Sequence, residues 1–73
     1  MYTFDLFRDD RFLACLGRYH TSHHAESAAF ESFTANASIP ENAGVRWQVR
    51  QWLYDGEGEL DHTVVVKEYV AIP

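Results

Sequence analysis

The sequence predicts an α+β fold of order ββαββ, in which a four-stranded antiparallel sheet carries one helix on one face. Two observations point to it. Apolar and polar residues alternate near both ends of the chain, as in strands, and an apolar stripe recurs at helical spacing in the middle. A length of 73 residues allows one domain, so residues 1–73 are expected to form a single α+β unit.

The first predicted hairpin joins a strand at Tyr2–Phe7 to a strand at Phe12–Tyr19 through a polar turn with two aspartates. Pairing Arg8 with Arg11 across this turn gives both faces of the hairpin apolar side chains. Cys15 lies within the second apolar strand, and we therefore expect it to be a small buried residue.

The helix is predicted from the segment AESAAFESFTANAS and should be about 12 to 14 residues long. Ser22 is a suitable N-cap, and Pro40 prevents the helix from continuing. The residues expected to form its apolar stripe are Ala25, Ala29, Phe30, Phe33 and Ala37.

The second hairpin is predicted from an alternating strand that begins at Val45, a DGEG turn, and a β-branched strand at Leu60–Ile72. Pairing Tyr54 with Glu59 keeps the large apolar residues of both strands on one face, whereas a slip by one residue separates them. The face gathered in this way, which should pack on Phe30 and Phe33, holds Trp47, Val49, Leu53, Leu60, Val64 and Val66.

One helix covers one face of such a sheet, so the opposite face should remain open. That face is expected to carry Arg46, Arg50, Trp52, Tyr54, Val65 and Tyr69. Trp, Tyr and Arg are enriched where proteins bind one another, which predicts a partner-binding surface anchored by Arg46, Arg50, Trp52 and Tyr54, with Tyr69 beside them. The alternative is that these side chains pair across the strands, with an Arg over Trp52, and stabilise the sheet without a partner.

Acidic residues outnumber basic ones by 11 to 6, giving a formal charge of −5. This balance argues against direct binding to nucleic acid, which requires a basic surface. Four carboxylates cluster around the second turn, namely Asp55, Glu57, Glu59 and Asp61. They predict an acidic patch that docks on a basic, nucleic-acid-binding surface of a protein partner; the alternative is that they serve solubility and edge protection.

No residue pattern predicts catalysis or a cofactor, and the chain is expected not to be an enzyme. The histidines His20, His23 and His24 have spacing that suits a metal, but a third protein ligand of the kind that catalytic zinc requires is not evident. The simpler interpretation is an exposed, histidine-rich loop, so no metal is assigned.

The N-terminal residues lack the basic and apolar regions of a signal peptide, and no apolar run approaches the roughly 18 residues that span a membrane. The lack of such a run predicts no membrane partner, and a lone thiol with no export signal favours a reducing cytoplasm.

The hairpin–helix–hairpin layout, the strand VRWQVRQWLY and the turn DGEGELD resemble the small acidic inhibitors of phages and mobile elements, including anti-CRISPR proteins. The likeness lies in architecture and not in a shared motif. It implies a non-enzymatic interaction module that binds a bacterial protein or nucleoprotein complex and occludes its surface. There are two alternatives: a structural homodimer, associated through the open face or through the edge strand near Val65 and Tyr69, and a metal-binding protein that uses the histidine cluster His20, His23 and His24.

Overall fold

The computed structural model describes residues 1–72 and confirms the α+β fold of order ββαββ. A short 3₁₀ helix at Pro40–Asn42 leads into the second hairpin. The strands and the helix are β1 (Tyr2–Arg8), β2 (Arg11–Tyr19), α1 (His23–Asn36), β3 (Arg46–Tyr54) and β4 (Leu60–Val70).

The four strands form one antiparallel sheet in the order β2-β1-β3-β4, so β1 and β3 are central and β2 and β4 are edges. The helix packs on the face to which the apolar residues of β1 and β3 point. Its two buried residues are alanines, whose small side chains let the helix approach the sheet closely. The core cluster comprises Phe4, Leu6, Ala25, Ala29, Trp47 and Val49.

Helix α1 begins after Ser22, as predicted, but the Ser22 side chain does not cap a backbone N–H; its hydroxyl donates to the Glu26 carboxylate. Phe33 packs edge-on against Trp47, with ring centroids 6.0 Å apart. Phe30 was expected to pack in the covered stripe, yet 51% of it is exposed, because it lies on the side of the helix that faces β4.

The first hairpin turns through Asp9 and Asp10, whose φ angles of +53° and +61° are those of a tight hairpin turn that Asp tolerates. Arg8 faces Arg11 as predicted, but two bulges then shift the register and bring Cys15 opposite Asp5. The expectation that Cys15 is buried is wrong. Cys15 is exposed because β2 is an edge strand and because the Cys15 side chain lies on the face away from the helix.

The predicted register of the second hairpin is also wrong. Tyr54 lies opposite Leu60, and bulges at Leu53/Tyr54 and at Val49/Arg50 each add a residue to β4, so that Trp47 faces Tyr69. Three shifts of one residue each explain the difference: the connecting loop has one residue more than the predicted turn, and each of the two bulges adds one more residue to β4. Tyr69 consequently lies on the helix-covered face instead of the open one.

Gly17 sits at a bulge in β2 with a φ of +116°, a conformation that side-chain-bearing residues rarely adopt. A Cβ there would lie 2.9 Å from the Tyr19 hydroxyl, which itself donates to the Leu16 carbonyl. We expect Gly17→Ala to lower the free energy of unfolding by about 1–3 kcal/mol, measured by urea denaturation. Gly56→Ala is the control, since nothing lies within 4 Å of its Cβ position, and an equal loss in both variants would contradict this role for Gly17.

Candidate protein-binding surface

The second hairpin extends past the four-stranded part of the sheet. The pairing of β1 with β3 stops at Phe4 and Gln51, so beyond Gln51 the strand β3 pairs only with β4. We call residues 52–63 the acidic arm. The arm contains all four predicted carboxylates, Asp55, Glu57, Glu59 and Asp61, and no Lys or Arg.

Hydrogen bonds to Asp55 fix the loop at the end of the arm. Its Oδ1 atom accepts from the backbone N–H groups of Glu57 at 2.8 Å and Glu59 at 3.0 Å. The Asp55 N–H in turn donates to the Glu59 carbonyl at 2.8 Å. Because the loop is held by its backbone and by the Asp55 carboxylate, the Glu57 and Glu59 side chains remain exposed and their carboxylates are available to a partner.

Two large side chains lie opposite each other where the strands of the arm enter the loop. Tyr54 is 42% exposed and Leu60 is 54% exposed. In β4, the Asp61 carboxylate lies 2.7 Å from Nδ1 of His62. The end of the arm therefore combines negative charge with apolar surface that a partner can bury.

The open sheet face is occupied by a network of its own side chains. The Arg50 guanidinium lies 4.0 Å from the Phe7 ring centroid and donates to Gln48 and, at 2.9 Å, to Asp10. Asp10 also pairs with Arg46 at 3.3 Å. Cross-strand pairing thus holds these arginines in place, as the alternative interpretation of this face expected, although the ring beneath Arg50 is Phe7 and not Trp52.

Trp52 also uses its polar atom within the sheet. Its indole Nε1–H donates to Oδ2 of Asp5 at 2.6 Å, and Asp5 is only 7% exposed. This bond ties β3 to β1 near the point where the arm leaves the sheet. Trp52 therefore supports the base of the arm.

Replacing Trp52 with Phe should lower the free energy of unfolding by about 1–3 kcal/mol, because the buried Asp5 carboxylate loses its donor. Adding Asp5→Val to that variant should recover part of the loss, since no carboxylate is then left unpaired. Wild type, the two single variants and the double variant form a double-mutant cycle, and urea denaturation measures the free energy of unfolding of each. Strictly additive losses would show that the two side chains are not coupled.

The residues predicted to bind a partner thus separate into three groups. Asp55, Glu57, Glu59, Asp61 and Tyr54 are exposed together on the acidic arm. Arg46, Arg50 and Trp52 bond within the open face. Tyr69 packs under the helix, with its ring 5.3 Å from that of Phe33.

Sequence reasoning missed the acceptors that organise the open face. Asp5 interrupts the apolar run of β1, and Asp10 was assigned only to the turn. The polar partner Gln48 donates to Glu68 at 3.0 Å, which links β3 to the edge of the sheet. The single available signal was Asp5 itself, a carboxylate inside an apolar strand, which requires a donor when it is buried.

Tyr69 donates its hydroxyl to the Glu26 carbonyl at 3.2 Å. Burial, and to a smaller extent the negative charge of Glu26, raise the pKa of Tyr69 above its ordinary value of 10.0. The pKa of Tyr69 is thus higher in the folded chain than in the unfolded chain. The stabilisation linked to the protonated Tyr69 phenol is therefore complete below the unfolded pKa and is lost as pH rises through the folded pKa.

The free energy of unfolding should therefore fall as pH rises from about 9 to about 11, and the slope should be smaller in Tyr69→Phe. Urea denaturation across this range measures both slopes. Tyr54→Phe, which removes an exposed phenol on the acidic arm, is the control variant. Equal slopes in wild type and Tyr69→Phe would contradict the effect.

The three histidines do not form a cluster with other metal-binding side chains. His24 packs its ring against that of Tyr19, with centroids 5.3 Å apart. Within residues 1–72, no group of three or more His, Cys, Asp or Glu side chains is arranged to hold a metal ion.

The chain matches no protein-family model, and no curated protein or solved structure shows significant similarity to it. In the part of the chain that the structure describes, the helices are too short or too polar to cross a membrane.

Proposed function

We propose that this chain is a small non-enzymatic protein-binding module. It docks its acidic arm on a basic, nucleic-acid-binding surface of a partner protein and occludes that surface. This is the mode of action implied by the resemblance to small phage inhibitors. The observation that carries the proposal is the concentration of charge on one projecting hairpin.

The formal charge of −5 is distributed unevenly. The acidic arm contributes four of these charges, while the seven acidic and six basic residues elsewhere almost cancel. A single-sign field on an extended hairpin steers it toward an opposite charge and away from nucleic acid itself. The arm is therefore suited to a partner whose positive surface otherwise holds phosphates.

Charge of this kind mainly speeds association, so a stable complex also requires buried contact. Tyr54 and Leu60 supply it, because a Tyr ring and an aliphatic side chain next to the carboxylates become desolvated when the arm is seated. The arm is held in one geometry by the bond between Trp52 and Asp5 and by the bonds that Asp55 accepts within the loop. Preorganisation of this sort lowers the entropy cost of binding.

The alternative role, protection of the sheet edge against aggregation, fits the arrangement less well. Edge protection places charge along the exposed edge of a strand. Here Asp55, Glu57 and Glu59 all lie in the loop, and only Asp61 belongs to β4. The carboxylates are thus placed at the projecting end, where they meet a partner first.

The test is capture of partners from a cell extract of the source organism, using the fraction retained on DNA-cellulose as a pool rich in basic surfaces. Wild-type chain should retain a saturable set of proteins, and Glu57→Lys should retain about tenfold less of it. Glu41→Lys carries the same charge change at an exposed position away from the arm and should retain the wild-type amount. Equal capture by both variants would overturn the proposal.

A further inference from the structure

We infer that the groove between α1 and the edge strand β4 binds an extended peptide segment with basic and apolar side chains, which adds to the sheet as a fifth strand. This site is separate from the acidic arm and does not depend on it. It rests on three observations: a free strand edge, a groove beside that edge, and the charge of the groove.

Strand β4 is an edge of the sheet and, among the described residues, pairs only with β3. Its outer backbone N–H and C=O groups are therefore open to another strand. Val64, Val65 and Val70 on this strand are 37%, 48% and 47% exposed. The charged side chains within the last part of the strand are Lys67 and Glu68.

An open groove of about 510 Å³ lies between this edge strand and the helix. Residues one turn apart on α1 form one wall, and the helix-facing side chains of β4 form the other. Two of the rings that line it, Phe30 and Tyr69, pack against each other, with ring centroids 5.7 Å apart. Phe30 is 51% exposed, so an aliphatic or aromatic side chain entering the groove would cover it.

The groove is also acidic. Glu26 and Glu31 line it from the helix, and Lys67, whose Nζ lies 5.9 Å from the Tyr69 ring centroid, lines it from the strand. With His23, which also lines the groove, counted as neutral, two carboxylates against one ammonium group leave a net negative charge. This charge favours Lys or Arg on the incoming segment and disfavours Asp or Glu.

These features together select an extended peptide. A strand paired with β4 directs alternate side chains into the groove, and its main chain satisfies the open edge. A second copy of this chain that paired through its own β4 would instead bring a further molecule of formal charge −5 to an acidic groove. Like-charge juxtaposition of this kind opposes association.

The probe is a fluorescein-labelled peptide of about seven residues in which Lys, Leu and Lys alternate with Thr, the length of an ordinary strand. Fluorescence anisotropy should show saturable binding to the wild-type chain. Phe30→Ala and Glu31→Lys should each weaken binding about tenfold, because they remove the apolar contact and a carboxylate. Two further peptides are N-methylated at alternate residues, one at the odd-numbered and one at the even-numbered positions. Only one of them should lose binding, since only alternate N–H groups of a paired strand donate to β4.

Matched controls make the test specific. Phe12→Ala removes an aromatic ring that is 60% exposed on the opposite edge strand, and Glu57→Lys alters the acidic arm; both should bind the peptide as wild type does. Retained binding in Glu57→Lys, a variant that loses partner capture, would show that the groove acts independently of the proposed function. The inference is overturned by unsaturable binding, by equal effects of Phe30→Ala and Phe12→Ala, or by a wild-type dimer in sedimentation that Phe30→Ala disrupts.

Discussion

Replacing Trp47 with Ala should lower the free energy of unfolding by about 3–5 kcal/mol, the largest stability loss expected for any single change in this chain. Trp47 is the largest fully buried side chain, with 2% of its surface exposed. It joins β3 to the helix through Phe33, and the Arg8 guanidinium lies 5.9 Å from its ring centroid. Removal of the indole would leave a cavity at the centre of the core.

The loss is severe because the domain is small. At roughly 0.05–0.15 kcal/mol per residue, a chain of this length is stable by about 4–11 kcal/mol, so Trp47→Ala removes a large part of the total. Urea denaturation followed by far-ultraviolet circular dichroism measures the change, with the slope against urea expected to stay constant. A loss below about 1 kcal/mol would contradict the central position of Trp47 in the core.

Trp47→Phe is the informative comparison. Among the described residues, the buried Nε1–H of Trp47 has no hydrogen-bond partner, so replacing the indole with a phenyl ring sacrifices no bond. We expect a loss of about 1–2 kcal/mol, from reduced volume alone. If Phe costs as much as Ala, the indole has a polar role that the packing does not account for.

Reversing two charges on the acidic arm should have the largest effect on partner binding. Glu57→Lys combined with Glu59→Lys brings the formal charge of the arm from −4 to 0. Affinity for the captured partner should fall about 100-fold, mostly through slower association, because the arm no longer steers toward a basic surface. Binding of the wild type should weaken as salt is added, and that dependence should flatten in the double variant.

Tyr54→Ala serves as the contrasting variant in the same kinetic experiment. It leaves every charge of the arm in place and removes an exposed ring. It should therefore accelerate dissociation about tenfold while leaving the association rate unchanged. If the double charge reversal changes only the dissociation rate, the arm does not steer association, and this part of the account is wrong even if affinity falls.

The fold could be predicted from the sequence because each element has a strong local signal. The alternation in β3, the helical stripe that begins at Ala25 and the stop at Pro40 all depend on neighbours along the chain. Bulges do not. The two extra residues in β4, together with the longer loop, place Tyr69 on the covered face, against the predicted alternation.

In the candidate site, too, the local features could be predicted from the sequence and the distant contacts could not. The acidic arm followed from a run of carboxylates at a turn, which needs no knowledge of distant contacts. The network on the open face depends instead on the strand order, which places β1 beside β3 and thereby brings Asp5 to Trp52 and Phe7 to Arg50. Nothing local in the sequence fixes that order, so these pairs became visible only in the folded chain.

The most direct measurement of the central claim is competition on the captured partner. Fluorescently labelled duplex DNA is bound to the purified partner, and this chain is added while anisotropy is recorded. Occlusion predicts that the chain displaces the DNA completely, and that the Glu57→Lys, Glu59→Lys variant requires about 100-fold more protein to do so. A ternary complex, in which DNA and this chain are bound to the partner together, would contradict the account.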